Sequence, residues 1–121
     1  MSEARLQQSC FIWFHNTYPE LRGLLCYNLT NTEGGRRGWI NKMLGLQKGR
    51  SDMVFYYNAR ATMIEMKTEK GKQTYYQKKW ESLVGKEGFE YVVVRNIGQF
   101  KDLIIKKLKE GGYKPSDGDL L

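Results

Sequence analysis

The sequence predicts a single α/β domain in which helices flank a small mixed β-sheet. Segments with apolar residues at three- and four-residue spacing, typical of helices, alternate along 121 residues with short apolar or β-branched segments typical of strands. The composition, 40% apolar and 27% charged, is that of a compact soluble domain. A chain of this length buries about two thirds of its unfolded surface, so it can form a core without disulfides or structural metal.

The first half of the chain predicts a helix, a strand and a second helix. Residues 2–17 carry a repeating apolar face and Ser2 as a candidate N-cap. Residues 24–29 predict a strand, and the loop after it is rich in turn-forming residues. Residues 36–47 predict a helix that carries four large apolar residues on one face: Trp39, Ile40, Met43 and Leu44.

The second half predicts three strands and two helices. A tight turn near Asn58 joins the first two strands of this half. The predicted order is strand 52–56, strand 61–67, helix 73–86, strand 91–94 and helix 99–109. Residues 1–110 therefore form one predicted domain, and residues 111–121 predict a flexible tail. The pattern leaves the order of the strands in the sheet open.

The net charge of the chain indicates which class of partner it binds. Twenty Lys and Arg residues against thirteen Asp and Glu residues give a net charge of +7, which favours a polyanion such as nucleic acid. One histidine and two cysteines are too few for a closed zinc site. The cysteines, Cys10 and Cys26, are expected to be buried thiols in a reducing compartment. With neither a secretory signal nor a long apolar run, we expect a cytoplasmic protein, in the host cytoplasm if it is viral.

The most informative residues lie on the predicted hairpin. A turn centred between Asn58 and Ala59 places Asp52 directly opposite Glu65, and opposed Cβ atoms lie about 4.5–5.5 Å apart. Two carboxylates at that distance repel unless a cation lies between them, and a divalent metal with oxygen ligands supplies one. Alternation along the strand places Lys67 on the same side as Glu65.

Two interpretations of this hairpin remain open. An Asp, a Glu and a Lys around Mg²⁺ or Mn²⁺ could hydrolyse phosphodiesters, because the metal activates water and the lysine orients water or stabilises developing charge. A solvated sheet face, on which Glu65 and Lys67 form an ordinary ion pair, explains the same short pattern. The E-x-K pattern alone is common on strands and favours the solvated face. The opposed carboxylates and the basic residues nearby favour the metal site to the same degree.

Further motifs follow one another in a specific order. They are Gly34-Gly35-Arg36-Arg37, the stretch 46–52 from Leu46 through Gly49 to Asp52, Glu65-Met66-Lys67, Gly71, Gln77 and Trp80. This order resembles the PD-(D/E)XK nuclease superfamily, and within it the VRR-NUC (virus-type replication-repair nuclease) family, over roughly residues 3–109. The resemblance implies a restriction-endonuclease-like αβββαβ core. Ser51 stands where the family usually has a proline before the metal-binding aspartate.

The resemblance also implies the site residues. The catalytic set it implies is Asp52, Glu65, Lys67, Gln77 and Glu3. Asp52, Glu65 and Glu3 would bind Mg²⁺ or Mn²⁺, and the Met66 carbonyl would join them because Met66 lies between two functional positions. Glu3 could instead only complement the helix dipole, with Glu20 and Glu33 as weaker substitutes. Gln77 could likewise be a polar residue at the edge of a core face.

Basic residues near the predicted site suggest a surface for DNA. Five of them lie between residues 36 and 50, where there is no acidic residue, and the full predicted DNA-binding set is Arg36, Arg37, Lys42, Lys48, Arg50 and Lys72. Each alone could belong to a solvated helix face. Tyr75 and Tyr76 could contact DNA but are expected to pack, as is Trp80.

The resemblance implies a structure-selective endonuclease that acts as a homodimer on branched DNA such as Holliday junctions. A dimer is consistent with one active site per domain, because two symmetric strands need two sites. The alternatives are a basic nucleic-acid-binding module without catalysis and a silent nuclease-fold subunit of a larger complex.

Overall fold

The computed structural model of the protein describes residues 1–28 and 35–114. Nine elements follow one another along these residues: α1 (Glu3–Thr17), a 3₁₀ turn (Pro19–Leu21), β1 (Leu25–Tyr27), α2 (Gly35–Met43), β2 (Met53–Tyr57), β3 (Arg60–Met66), α3 (Tyr75–Lys86), β4 (Glu90–Val94) and α4 (Ile97–Glu110). The order confirms the α/β class predicted from the sequence.

The four strands form one mixed sheet in the order β1-β2-β3-β4. The first three strands pair antiparallel, and β4 pairs parallel to β3. Helices α1 and α4 cover one face through a continuous apolar core, and all four apolar α4 positions of that core are buried: Phe100, Leu103, Ile104 and Leu108. Helix α3 packs more lightly on β4, where Trp80 meets Tyr91 edge-on.

The β2–β3 turn sets the register of the hairpin. Asn58 and Ala59 both have a φ of 56°, the conformation of a two-residue type I′ turn. Tyr57 therefore pairs with Arg60, and the ladder runs to Met53 opposite Ile64. One step further along, Asp52 and Glu65 face each other at the open end of the hairpin, so the predicted register is confirmed.

Several element ends differ from the sequence prediction for local reasons. Ser2 caps α1 as expected, but α3 begins at Tyr75 rather than residue 73 because Thr74 is its N-cap. Helix α2 ends at Met43, and Gly45 then takes a φ of +102°, a conformation that ends helices. The apolar face predicted for α2 lies largely exposed.

The chain after α4 folds back on the core as far as it is described. The Tyr113 ring meets the Tyr18 ring edge-on at 5.7 Å, and Gly111 packs directly against the ring of Tyr57. The first residues of the predicted tail are therefore packed, while its remainder, residues 115–121, lies outside the described residues. No helix in the described ranges is long and apolar enough to cross a membrane.

Candidate active site

Four charged side chains meet at the open end of the β2–β3 hairpin. Asp52 immediately precedes β2, Glu65 lies near the end of β3, and Lys67 directly follows β3. The first turn of α1 brings Glu3 to the same place, with its Oε1 3.5 Å from the Lys67 Nζ. The structure thus brings together four of the five side chains predicted to be catalytic.

Asp52 is held by the backbone of the neighbouring strand. Its Oδ2 accepts a hydrogen bond of 2.6 Å from the Met66 amide. Burial raises the pKa of Asp52, and Glu3 raises it further, whereas the Met66 amide and Lys67 lower it. Beside it, the buried Ser51 hydroxyl donates to the Met53 carbonyl at 3.1 Å, a tie that restrains the position where the family has proline.

Glu65 is fully buried, with an exposed fraction of 0%. Its Oε1 accepts a hydrogen bond from the Tyr91 hydroxyl, whereas its Oε2 has no hydrogen-bond partner among the described residues. Burial raises the pKa of Glu65, although the Tyr91 hydroxyl and Lys67 both act to lower it. A buried carboxylate oxygen without a partner is costly, and a bound cation would offset that cost.

Lys67 is buried among these carboxylates, with an exposed fraction of 6%. The loop that follows it is fixed by the Arg95 guanidinium, whose Nη1 donates to the carbonyls of Thr68 and Gly71, each at 2.7 Å. Arg95 therefore anchors the backbone of the loop that follows Lys67.

The donor set fits Mg²⁺ or Mn²⁺ better than a metal that needs a closed cage. In the described part of the chain, no group of three or more His, Cys, Asp or Glu residues is placed to enclose an ion. Mg²⁺ is usually held by one or two carboxylates, with water and substrate phosphate completing its shell. Asp52 and the unpartnered oxygen of Glu65 supply two carboxylates of this kind.

Tyr91 is part of the site and was missed by the sequence analysis. Glu65 pairs with Val93 across the parallel β3–β4 ladder, so Tyr91, two residues earlier, lies on the same face and within reach of the carboxylate. Burial, and then the hydrogen bond to Glu65, raises the pKa of Tyr91, which keeps it a donor. The only sequence signal was a tyrosine at the start of a β-branched strand.

The Gln77 side chain lies at the start of α3, where it has a local partner. Its Oε1 accepts from the Thr74 amide at 2.8 Å, and the Thr74 hydroxyl accepts from the Gln77 amide at 3.2 Å. This is a capping box, which satisfies two free N–H groups at the start of α3. Its catalytic role stays a prediction. Of the substitutes for Glu3, Glu20 lies exposed in the 3₁₀ turn, and Glu33 lies outside the described residues.

The predicted DNA-binding residues lie on helix α2, just before α3, and in the loop that leads to Asp52. Arg36, Arg37 and Lys42 lie exposed on α2, and Lys72 lies exposed before α3. Lys48 and Arg50 lie in the loop that leads to Asp52, and the Lys48 Nζ lies 4.1 Å from the centroid of the Tyr76 ring. The loop and the start of α3 therefore form one surface beside the carboxylates.

Gly49 joins this loop to α3. Its φ is +88°, and a Cβ there would lie 2.9 Å from the Gln77 amide nitrogen and closer still to the Tyr76 carbonyl. The positive φ is strained for any residue with a side chain, and the α3 backbone cannot move away from a Cβ without cost. Position 49 therefore requires glycine. The motif glycine thus places the loop carrying Asp52 against the helix that follows the site.

We expect Gly49→Ala to lower the free energy of unfolding by about 2–3 kcal/mol, through strain and backbone overlap. Gly85→Ala is the matched control, because Gly85 lies in α3 with open space around it. That control should stabilise the protein by up to about 1 kcal/mol. Urea unfolding of both variants measures the difference. An unchanged free energy of unfolding in Gly49→Ala would mean that the loop does not pack on α3.

Comparison with solved structures finds a protein with a similar fold. The structure is similar to that of a VRR_NUC domain protein, with a TM-score of 0.75 over 90% of this chain and 89% of that chain, at 20% sequence identity. The chain therefore has the fold of a VRR_NUC domain, as predicted. No protein-family model matches the sequence, and no curated protein matches it.

Proposed function

We propose that the protein is a member of the VRR-NUC family and a metal-dependent DNA endonuclease that hydrolyses phosphodiester bonds. The observation that carries this proposal is the buried, unpartnered Oε2 of Glu65, opposite Asp52 and beside a buried lysine. Clusters of buried ionisable groups of this kind are concentrated at functional sites. The fold of a VRR_NUC domain supports the same reaction class.

The proposed metal ligands come from both strands of the hairpin. Asp52 and the Glu65 Oε2 supply carboxylates, and Glu3, which pairs with Lys67 at 3.5 Å, is the third proposed ligand. The Met66 N–H points to Asp52. In a strand the N–H and C=O of one residue point to the same side, so the Met66 carbonyl lies on this edge as well. A bound Mg²⁺ or Mn²⁺ would acidify water and stabilise charge on the phosphate.

Lys67 is the residue proposed to act directly on the attacking water or on the phosphate. Its ammonium lies among carboxylates on the face where the scissile phosphate would bind, and it can orient the attacking water or stabilise negative charge that develops on the phosphate. Glu3 holds the ammonium from the α1 side. The buried position limits its rotamers, which is the positioning that such a step needs.

The finer substrate class, branched DNA, is taken from the family resemblance, and the charge of the chain is consistent with it. A net charge of +7 and basic residues on the loop before Asp52 suit a DNA backbone. One domain offers one such site, and a homodimer would supply the two sites that suit the two symmetric strands of a Holliday junction or another branched DNA. A dimeric junction endonuclease is therefore the specific form of the proposal.

Cleavage assays test the proposal directly. Labelled four-way junction, duplex and single-stranded DNA are incubated with the protein in Mn²⁺, Mg²⁺ or EDTA, and its mass in solution is measured by light scattering. We expect cutting in either metal, none in EDTA, and the fastest cutting of the junction by a dimer. Binding without cutting in every metal would leave a non-catalytic binding module or a silent subunit.

Tyr91 should act on Glu65 rather than on DNA. We expect Tyr91→Phe to weaken Mn²⁺ binding and lower the cleavage rate, each by about 10- to 100-fold, as for other residues that orient metal ligands. Tyr57→Phe is the matched control at the far end of the hairpin. Isothermal titration with Mn²⁺ separates the two effects. Unchanged Mn²⁺ affinity in Tyr91→Phe would remove the positioning role.

A further inference from the structure

Two tyrosines at the start of α3 remain outside the core. Tyr75 has an exposed fraction of 71% and Tyr76 of 44%, so the expectation that both pack is wrong. Their rings meet edge-on, with centroids 5.4 Å apart and planes at 78°. The Lys48 ammonium lies over the Tyr76 ring at 4.1 Å from its centroid. Tyr76 is thus held on two sides, whereas Tyr75 presents its ring to solvent.

These rings lie close to the proposed active site. The backbone of Gly49 packs against Tyr76 and Gln77, and Asp52 follows Gly49 by three residues. A chain spans at most about 3.6 Å per residue, so the Cα of Asp52 lies within roughly 11 Å of the Cα of Gly49. The rings at the start of α3 therefore lie within a few nucleotides of the proposed metal ligands along an extended strand.

The surroundings of the rings are positively charged. Residues 70–80 contain four lysines and no acidic residue: Lys70, Lys72, Lys78 and Lys79. The facing loop contributes Lys48 and Arg50 from another acid-free stretch. Exposed aromatic rings within a basic groove are the usual platform for the bases of a single strand. This charge favours a nucleic acid over an apolar protein partner.

We propose that Tyr75 stacks on an unpaired base of the DNA strand near the scissile phosphate, with its ring supported edge-on by Tyr76, which in turn lies under the Lys48 ammonium. The platform would favour DNA that offers an unpaired base within a few nucleotides of the cut, such as a branch point, a flap or a single strand. A fully paired duplex keeps its bases stacked inside the helix and gains nothing from the ring. This inference rests on the proposed nuclease function. It adds that the site selects substrates with an unpaired base near the cut.

Binding measured in EDTA tests the platform without cleavage. The DNA substrates are a flap carrying 2-aminopurine at the branch and a duplex carrying it internally. We expect Tyr75→Ala to lower affinity for the flap by roughly 5- to 100-fold, the range for loss of one stacked base, and to leave duplex affinity nearly unchanged. Tyr75→Phe keeps a stacking face and should retain flap affinity. Wild type and Tyr75→Phe should quench 2-aminopurine fluorescence in the flap, and Tyr75→Ala should not.

Tyr56→Ala is the matched control. Tyr56 is an exposed tyrosine on β2, four residues beyond Asp52 and towards the turn end of the hairpin. Its loss should change neither affinity nor quenching. Equal losses on flap and duplex in Tyr75→Ala, or unchanged flap binding, would overturn the platform. Circular dichroism of each variant shows that the fold is retained.

The same variants separate the two proposals. If wild type binds the flap through Tyr75 but cuts nothing in Mn²⁺, the nuclease proposal fails and the platform stands. If wild type cuts and Tyr75→Ala cuts flap and duplex as wild type does, the platform fails and the nuclease stands. A wild type that binds neither DNA contradicts both.

Discussion

Replacing Glu65 by glutamine is expected to lower the rate of DNA cleavage by about 10³-fold or more, because the metal it helps to hold supplies several kcal/mol to the transition state. Glutamine keeps the volume and can still accept the Tyr91 hydrogen bond at its carbonyl. What it removes is the charge on the unpartnered oxygen. Single-turnover cleavage in Mn²⁺ measures the loss.

The same variant should be more stable than wild type when no metal is present. Burial raises the pKa of Glu65 above its value in the unfolded chain. A group of this kind contributes its stability below the unfolded pKa and loses it as pH rises through the folded pKa. Ionised Glu65 therefore destabilises the metal-free protein at neutral pH, and Glu65→Gln should have the higher Tm in EDTA at pH 7, with the difference shrinking towards pH 4.

Metal should reverse this order of stability. Mn²⁺ binds the folded wild type and raises its Tm by mass action, but it should shift the Tm of Glu65→Gln little. Glu87→Gln, at an exposed carboxylate after α3, is the control that responds to Mn²⁺ as wild type does. A Glu65→Gln variant that is less stable in EDTA and still cuts DNA would make Glu65 a structural residue.

The hairpin could be predicted because its geometry is local. A two-residue turn determines which residues pair, and alternation along a strand determines which side chains share a face. Asp52, Glu65 and Lys67 were therefore brought together by residues that lie close in sequence. Glu3 required the resemblance to a family, because its place depends on how α1 packs across the sheet.

Tyr91 and Arg95 could not be predicted for the opposite reason. Both act through β4, which pairs with β3 across a helical crossover, and no local rule determines which strand lies beside which. Gln77 shows a signal that was overlooked. Threonine followed three residues later by glutamine is a capping box, and the structure uses the Gln77 side chain in that way.

Replacing Lys67 by methionine should separate metal binding from chemistry. We expect the cleavage rate to fall by about 10²- to 10⁴-fold, the range for loss of a positioned acid–base group or a charge that stabilises the transition state. Mn²⁺ affinity should be kept or increased, because the ammonium competes with the metal for the same carboxylates. Lys70→Met, at an exposed lysine in the following loop, should change neither quantity.

The stability of Lys67→Met should also differ from that of Glu65→Gln. Lys67 lowers the pKa of both Asp52 and Glu65, so its loss raises those pKa values further and makes the ionised carboxylates costlier at neutral pH. In EDTA at pH 7 the Tm should therefore fall, whereas Mn²⁺ should restore it by supplying the missing positive charge. Loss of Mn²⁺ binding in proportion to activity would instead mean that Lys67 only holds the carboxylates in place, and the water-orienting role would pass to another group.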